Sequence, residues 1–511
     1  MSESLDNFPK KHPSRTKIVA TLGPASDSEE MIARLIDAGV DVFRINMAHS
    51  TPETAQPVLD RVRTIAKRLR IPIAVMIDLA GPKIRLGDVS GGEYLCHMGE
   101  NIHFVRGTTG DRPGYFTTTY ESLINDLKVN DFVLLADGTV RLRVISKEED
   151  DVLCTVVQGG WIRSHQGVNL PGVALSIPTL QETDEINARW GTRAGVDFIG
   201  LSFVRSPEDV KQLRTIIAAE VAANIDKCGG WSPHIIAKIE KPEVLSCLSE
   251  VIEVSDGVMV ARGDLGVELP IAQLAVIQKE ILRRCREKAK PAIVATQMLE
   301  SMTVELFPTR AEVTDVANAI LDGADACMLS GETAIGSHPV EAVNMMDDIA
   351  GTIEDKMRHA VQRGSGREDL IYTETSSSST SAATKIDEPV RISLAVCKAA
   401  GDLADMIGAK AILITTKSGR TALNLSKLRN FVMTVGTSDS EEVLRRMCLY
   451  WGVIPVGCAR QDVGEMARNL ARRATDAGEL IDGDRIVIVA GLGAQADGRN
   501  MIFIQTLKRP Y

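Results

Sequence analysis

Eight short apolar segments, most of them followed by a helix-like pattern, constrain the fold of this chain more than any other feature. They are rich in Val, Ile, Leu and Ala without strict alternation, which is typical of parallel strands covered on both faces. In chain order the segments are 16–23, 41–47, 73–79, 198–204, 234–240, 257–265, 292–299 and 326–333. Eight strand–helix units predict a (β/α)8 TIM barrel. An open doubly wound sheet is the main alternative, but eight units fit a closed barrel better.

The regular spacing is interrupted once, between the third and the fourth segment. Residues 87–172 carry short alternating segments with Gly and Asp turns, which predicts a β-rich lid domain inserted after the third strand. A Ser/Thr-rich stretch within 361–385 is interpreted as a linker, and a second α/β pattern follows it. We therefore expect a barrel domain formed by 1–86 and 173–360, and a C-terminal α/β domain at 386–511.

Composition narrows the classes of function. The 511 residues carry a net charge of −10 without a dominant Lys/Arg block, and aromatic residues make up 4%. Neither nucleic-acid binding nor a membrane-surface role is favoured by these values. The nine cysteines are scattered without a CxxC pair, which is typical of a reducing compartment. Without a signal-peptide pattern or an apolar run of about 18 residues, we expect a cytoplasmic protein.

Polar side chains follow six of the eight segments, at the ends where the loops of a barrel converge on its active site. They are Arg44, Asn46, Asp78, Lys238, Glu240, Arg262, Asp264, Thr296, Gln297, Ser330 and Glu332. Any one of them alone is more often a solvated strand end or a structural ion pair. Together the carboxylates suit Mg²⁺, and Arg44, Arg85 and Lys238 suit a phosphate or a carboxylate. The set favours phosphoryl transfer slightly over an aldolase or lyase that acts on an oxyacid.

At these residues the chain resembles the pyruvate kinase family, and the resemblance covers nearly its whole length. The motifs that carry it are TKIVATLGPAS (16–26), FRINMAHS (43–50), IDLAGPKIR (77–85), GVNLPG (167–172), KIEKPE (238–243), VMVARGDLGVELP (258–270), VATQMLESM (294–302), PTRAEVTDVANAILDGADACMLSGETAIG (308–336) and TKSGRTA (416–422). The resemblance implies the same three-domain fold and a homotetramer. It also implies the last reaction of glycolysis, in which phosphoenolpyruvate and ADP give pyruvate and ATP. The implied metal is Mg²⁺, which Mn²⁺ could replace.

The resemblance further implies roles for individual residues. Glu240 and Asp264 would bind the metal, Lys238 would lie against the transferring phosphoryl group and the enolate oxygen, and Arg44 would hold the phosphate. Thr296 would lie near the face where the enolate is protonated. The substrate carboxylate would meet the backbone of Ala261, Arg262 and Gly263 where a short helix begins with Asp264. The nucleotide site would include Arg85, Asn46 and Asp137, with Arg85 acting when the lid closes.

The monovalent-cation site of the family is altered in this chain. Asn46 and Asp78 remain, but Ala48 stands at a Ser of the family pattern, Leu79 at a Thr, and Lys83 at a Glu. Like charges 4 Å apart at an effective dielectric constant near 20 cost about 4 kcal/mol, so an ammonium there opposes K⁺. The family includes a K⁺-independent branch with this Lys. We therefore interpret Lys83 as a substitute for the ion, with Asp78 as its counter-charge and K⁺ not required. An incidental surface lysine is the alternative.

The lid departs from the family pattern as well. His165 and Gln166 stand where many members have two basic residues, directly before the GVNLPG motif. This change predicts weaker binding of ADP than in typical members. It also keeps open a catalytically weakened metabolite-binding sensor as an alternative to an active enzyme, although the retained Lys238, Glu240 and Asp264 argue against a sensor.

A loop in the C-terminal domain predicts a phosphate-binding site. Its residues are Thr415, Thr416, Lys417, Ser418, Gly419, Arg420 and Thr421. Hydroxyls, backbone N–H groups and a helix N-terminus can bind a phosphate, whereas an ordinary glycine turn with a Ser cap is the alternative. The resemblance implies that this loop binds an allosteric effector, either fructose 1,6-bisphosphate, another sugar phosphate or AMP. A GxG pattern at 489–498 is interpreted as a hairpin turn, with closure of the effector site as the alternative.

Overall fold

A closed barrel of eight parallel strands forms the centre of the structure, a computed structural model. The described residues are 14–107, 112–136, 138–173, 175–362, 388–457, 480–491 and 500–507. The barrel begins with β1 (Lys17–Thr21), α1 (Glu29–Ala38), β2 (Val42–Asn46), α2 (Pro52–Leu69) and β3 (Ala74–Asp78). All residues of β1 and β3 are buried, because neighbouring helices cover one face and the barrel interior covers the other.

The chain between β3 and the fourth barrel strand forms a separate β-rich domain. Its elements are β4 (Glu93–Cys96), β5 (Asn101–Val105), β6 (Tyr115–Phe116), α3 (Leu123–Asp126), β7 (Phe132–Leu135), β8 (Val140–Lys147), β9 (Asp151–Gln158), β10 (Gly160–Arg163) and β11 (Val168–Asn169). β10 pairs with β4, and the other six strands form one sheet in the order β11–β7–β8–β9–β5–β6. This domain has its own apolar core, which includes Phe104, Phe116 and Leu142.

The barrel then continues with five more strands and their helices. In chain order these are α4 (Glu182–Ala194), β12 (Phe198–Leu201), α5 (Pro207–Ala223), α6 (Ile225–Cys228), β13 (His234–Ile239), α7 (Leu248–Val254), β14 (Gly257–Ala261), α8 (Arg262–Glu268), α9 (Leu274–Glu287), β15 (Ala292–Ala295), α10 (Arg310–Leu321), β16 (Ala326–Leu329), α11 (Gly331–Ala334) and α12 (Pro339–Gln362). Short 3-10 turns occur at Pro242–Cys247, Ile271–Gln273 and Glu300–Thr303. The strands close in the order β1–β16–β15–β14–β13–β12–β3–β2, so β1 pairs with both β16 and β2.

A second parallel sheet forms the C-terminal domain. Its described elements are α13 (Glu388–Met406), β17 (Ala411–Thr415), α14 (Arg420–Lys427), β18 (Met433–Ser438), α15 (Glu441–Met447), β19 (Val453–Gly457), β20 (Arg485–Gly491) and β21 (Asn500–Thr506). The sheet order is β19–β18–β17–β20–β21, with β21 antiparallel to β20. Together the three sheet systems confirm the predicted fold class.

Buried ion pairs join the C-terminal domain to the amino-terminal ends of the barrel strands. Lys427, the last residue of α14, pairs with Asp325, which directly precedes β16. The Nε of Arg445 in α15 donates to Asp197, directly before β12, over 2.7 Å. Among the described helices, none combines the length and the apolar character that crossing a bilayer would need.

Candidate active site

A buried cluster of four charged side chains lies at the carboxyl ends of β2, β3 and β13. Arg44 donates from Nε and Nη2 to Oδ2 of Asp78, over 2.8 and 2.5 Å. Lys238 Nζ lies 3.2 Å from Oδ1 of Asp78 and 2.7 Å from Oε1 of Glu240. The four sequence-predicted residues are thus brought together, each at most 9% exposed. Such burial is tolerated because each charge faces an opposite one.

The pairing sets the protonation states of this cluster. Burial alone would lower the pKa of Lys238, but Asp78 and Glu240 outweigh it and raise the pKa, so that Lys238 is held as an ammonium. Burial alone would raise the pKa of Asp78, but the positive charges of Lys238 and Arg44 keep that pKa below its usual value. The pKa of Glu240 is raised, mainly by burial, with a further contribution from the negative charge of Asp264.

Two hydroxyl groups that the sequence analysis did not single out orient the cations. Ser202 Oγ lies 2.7 Å from Lys238 Nζ, from which it accepts a hydrogen bond, and donates to the Leu79 carbonyl over 2.7 Å. Thr21 Oγ1 accepts from Arg44 Nη1 over 3.2 Å. Both residues stand at the carboxyl end of a barrel strand, which is the one sequence signal that could have identified them.

Two carboxylates beside the cluster have the chemistry that a divalent metal needs. Glu240 Oε2 accepts from the backbone N–H of Phe203 over 2.8 Å, while the carboxylate of Asp264 makes no hydrogen bond or ion pair within the described part of the chain. That part contains no group of three or more His, Cys, Asp and Glu arranged to hold a metal. Two carboxylates still fit Mg²⁺, because proteins usually supply one or two and substrate oxygens complete the shell. The carboxylates of Glu240 and Asp264 therefore fit the Mg²⁺ that the resemblance implies.

The start of α8 lies against the strained end of β15. Thr296 and Gln297 have φ values of 68° and 54°, in the left-handed region, which is unusual for residues other than Gly. Thr296 Oγ1 accepts from the backbone N–H of Gly263 over 2.7 Å. The buried Arg262 donates to the carbonyls of both Thr296 and Gln297 and pairs with Asp315 at 2.5 Å. Its side chain thus stabilises the turn that presents the Thr296 hydroxyl to α8.

Asp78, which the sequence analysis interprets as the counter-charge of Lys83, forms its ion pairs with Arg44 and Lys238. Asp78 is 1% exposed and its oxygens face Arg44 and Lys238, whereas Lys83 is exposed and its ammonium has no partner within the described ranges. The physical reason is that the chain turns outward after β3, so the two side chains point to different environments. Lys83 lines a cleft together with other residues of the barrel and the lid, among them Asp264, Phe203, Lys241, Arg205 and Asn169.

Two of the three residues predicted to contact the nucleotide, Arg85 and Asn46, are among the described residues. Arg85 Nη1 donates to the carbonyl of His165 over 3.0 Å, and His165 Nε2 lies 3.2 Å from Oδ1 of Asp88. Asn46, at the end of β2, accepts the backbone N–H of Ala48 over 3.1 Å. Asp137 lies outside the described residues.

The predicted effector loop joins β17 to α14 in the C-terminal domain. Thr416 Oγ1 accepts from the N–H of Gly419 over 3.0 Å, and Gly419 has a φ of 82° directly before the helix. Lys417, Ser418 and Arg420 are exposed. The loop thus presents two cations and a hydroxyl to solvent at a helix N-terminus. Residues 492–498 of the predicted hairpin turn lie outside the described residues.

Comparison with known proteins gives consistent matches over nearly the whole chain. Residues 13–343 match the family described as "Pyruvate kinase, barrel domain", and residues 394–505 match "Pyruvate kinase, alpha/beta domain". Pyruvate kinases of Staphylococcus aureus strains RF122 and USA300 are each 39% identical over 481 residues, covering 94% of this chain and 78% of theirs. The crystal structure of a pyruvate kinase from Cryptosporidium parvum superposes with a TM-score of 0.84 at 30% identity, covering 97% of this chain and 96% of that one.

Proposed function

The chain belongs to the pyruvate kinase family, and we propose that it transfers the phosphoryl group of phosphoenolpyruvate to ADP, with Mg²⁺ held by Glu240 and Asp264. The observation that carries this proposal is the buried charge cluster beside the unpaired carboxylate of Asp264. Fixed cations around a phosphate and a free metal ligand are the groups that phosphoryl transfer uses, since its catalysis is mostly positioning and charge stabilisation. Mn²⁺ also prefers oxygen ligands, so the same two carboxylates suit it.

The residues of the cluster divide the work between the two ends of the substrate. Arg44 and Lys238 face the phosphoryl group, where fixed positive charge stabilises the negative charge of the transition state. Lys238 stays an ammonium, so it also neutralises the enolate oxygen that forms when the phosphoryl group leaves. Glu240 and Asp264 would hold the Mg²⁺, whose positive charge would further stabilise the negative charge of the transition state. In the substrate complex the Gly263 N–H would donate to the substrate carboxylate instead of to Thr296 Oγ1. The Thr296 hydroxyl, which would lie next to the enolate face, donates to the carbonyl of Ala295 over 2.6 Å.

The lid completes the nucleotide site in this proposal. Arg85, Asn46 and Asp137 contact the phosphates of ADP, and closure of the lid excludes water that would otherwise hydrolyse the phosphoryl donor. His165 already faces Asp88, which leaves it less positive charge to offer than a basic pair. We therefore expect a higher Michaelis constant for ADP than in members with that pair.

Independence from K⁺ is proposed from the position of Lys83. Its ammonium lines the same cleft as Asp264, and Ala48 supplies no oxygen ligand. Turnover should change little when K⁺ replaces a large organic cation at fixed ionic strength. Lys83→Glu should gain a requirement for K⁺, whereas Lys128→Glu, an equal charge change at an exposed position of the lid, should not. Strong activation of the unaltered enzyme by K⁺ would rule out the proposal that the Lys83 ammonium takes the place of K⁺.

Regulation, assembly and location are proposed here from the resemblance to the family. We propose that the loop from Thr415 to Thr421 binds the phosphate of an effector, a sugar phosphate or AMP, and that the protein is a cytoplasmic homotetramer. The exposed Lys417 and Arg420 beside the start of α14 support the effector site. Titration of activity with fructose 1,6-bisphosphate, other sugar phosphates and AMP tests it, and no response to any of them favours a structural loop.

The decisive experiment is a coupled assay for ATP formation from phosphoenolpyruvate and ADP. Lys238→Met should lower turnover by about 10³-fold or more, with a smaller effect on substrate binding. Lys17→Met is the matched control, because Lys17 also forms an ion pair in the barrel, at 2.9 Å from Asp41 at the amino-terminal ends of the strands. Absence of ATP formation points to a lyase, and near-normal behaviour of Lys238→Met points to a sensor.

A further inference from the structure

One buried ion pair at the cleft is not used by the proposed reaction. Lys241 directly follows Glu240, and its Nζ lies 2.5 Å from Oε1 of Glu268. The side chains are 7% and 1% exposed, so the pair is as buried as the catalytic cluster. A buried ion pair contributes little net stability compared with apolar residues of similar volume. Stability alone therefore does not explain the pair, and we ask whether it positions neighbouring residues.

The pair connects the two segments that carry the proposed metal ligands. Lys241 follows the end of β13, directly after Glu240, whereas Glu268 is the last residue of α8. Asp264 stands four residues before Glu268, so both acids lie on the same face of that helix. The ion pair therefore joins the backbone that bears Glu240 to the helix face that bears Asp264.

This connection matters because the two segments have reasons to separate. Glu240 and Asp264 repel each other when no cation lies between them. The helix α8 has seven residues, too few to be stable without tertiary contacts. Lys241 is further enclosed by the Phe203 ring, with its Nζ 5.8 Å from the ring centre. Phe203 is the residue whose N–H holds the other oxygen of Glu240.

We propose that the Lys241–Glu268 ion pair is a positioning device that holds Glu240 and Asp264 at the separation that a divalent cation requires. This inference rests on the proposed metal role of those two carboxylates. Lys241 and Glu268 act through the ligands and not on the substrate. Residues of this kind, one shell outside the metal ligands, typically contribute about 10- to 100-fold to metal affinity.

The sign of the effect separates positioning from simple electrostatics. If Lys241 acted only through its charge, its removal would strengthen binding of a cation, because a nearby positive charge repels the metal. Positioning predicts the opposite, namely weaker binding. The double variant Lys241→Met with Glu268→Gln removes one charge of each sign, so electrostatics alone predicts almost no change, whereas positioning predicts the same loss as in Lys241→Met.

The experiment measures the binding of Mn²⁺ to the full-length protein by electron paramagnetic resonance of the free ion, without substrate. Lys241→Met and the double variant should each raise the dissociation constant about 10-fold. Lys17→Met, which breaks a comparable pair at the other end of the barrel, should leave it unchanged. Circular dichroism confirms that each variant is folded, and the double variant, which buries no unpaired charge, decides the question if Lys241→Met is not folded.

Two outcomes would overturn the inference. Unchanged or tighter Mn²⁺ binding by Lys241→Met contradicts positioning directly, and so does a double variant with the affinity of the unaltered protein. Glu240→Gln in the same assay keeps this failure apart from failure of the proposed function. If Glu240→Gln loses Mn²⁺ while Lys241→Met retains it, only the positioning role is wrong. If Glu240→Gln binds Mn²⁺ normally, the metal site itself is wrong.

Discussion

Replacing Asp78 by Asn should destabilise the barrel. Asp78 lies between two buried cations, Arg44 at its Oδ2 and Lys238 at its Oδ1. Asn fills almost the same volume, but its single amide oxygen can accept from only one of them, and its NH2 group then faces the other. The negative charge and one acceptor are lost together. The cluster then holds two cations against the single carboxylate of Glu240, which faces Lys238 and leaves Arg44 without a counter-charge.

The expected magnitude follows from the observed distances. At 3.2 Å and an effective dielectric constant of about 20, the attraction between Lys238 and Asp78 is about 5 kcal/mol. Hydrogen bonds to Asn recover part of this, and measured losses of one partner from a buried pair are about 3 to 5 kcal/mol. We expect a loss of about 3 kcal/mol, which corresponds to about a 10²-fold larger population of the opened barrel.

Amide hydrogen exchange followed by mass spectrometry measures this loss without assuming that a multidomain protein unfolds in one step. Peptides that cover β2, β3 and β13 should exchange about 10²-fold faster in Asp78→Asn, while peptides of β17 in the C-terminal domain should not change. Asp41→Asn, which removes the partner of Lys17 in a more exposed pair, should have a clearly smaller effect.

The dependence on pH gives this prediction a second test. The pKa of Asp78 is lowered in the folded state, so its contribution is complete above the unfolded value of about 4 and is lost only as the pH falls through the folded pKa. The difference between the two proteins should therefore be the same at about pH 7 and about pH 5. Exchange of the barrel peptides at the unaltered rate in Asp78→Asn would refute the reasoning.

Three further predictions concern other parts of the molecule. Burial lowers the pKa of His234 to about 4, so the folded state resists protonation and stability falls by up to about 3 kcal/mol as the pH drops from about 6.5 to 4; His234→Gln should flatten this part of the stability profile in urea titrations. Asp325→Asn leaves the buried Lys427 without its partner, so α14 should exchange its amides faster while β3 does not, and equal exchange would contradict a role in domain docking. Gly81→Ala places a Cβ 2.6 Å from the Phe203 ring at a φ of +65° and should lower turnover, whereas Gly92→Ala, with φ +84° and nothing within 4 Å, should cost only stability.

The strands were predictable because their environment is uniform. All four residues of β12 are buried, and so the sequence shows a continuous apolar run. In the lid, β8 alternates between buried and exposed residues over its first six positions, which is the pattern that identified an inserted β-rich domain. The polar residues that follow such runs meet at one end of a closed barrel, and this rule placed Arg44, Asp78 and Lys238 in a common site.

The pairing of those side chains could not be predicted in the same way. Lys83 is five residues from Asp78 and is interpreted from the sequence as balanced by its charge, but Asp78 pairs within the buried cluster and Lys83 lines the cleft. Lys241 and Glu268 are 27 residues apart, and nothing in their spacing indicates an ion pair. Such contacts depend on which way a chain turns after its strand, and that is decided by packing across the barrel rather than by local pattern.

The charge count of the site has a consequence for the order in which it fills. The two cations and two carboxylates of the buried cluster cancel, so the cluster alone offers a phosphate ester no net positive charge. Glu240 and Asp264 also repel each other, and a doubly positive ion bound by them would remove this repulsion and add positive charge next to the ester. Cation and ester should therefore load cooperatively, each increasing the affinity of the other by the same factor, as thermodynamic reciprocity requires.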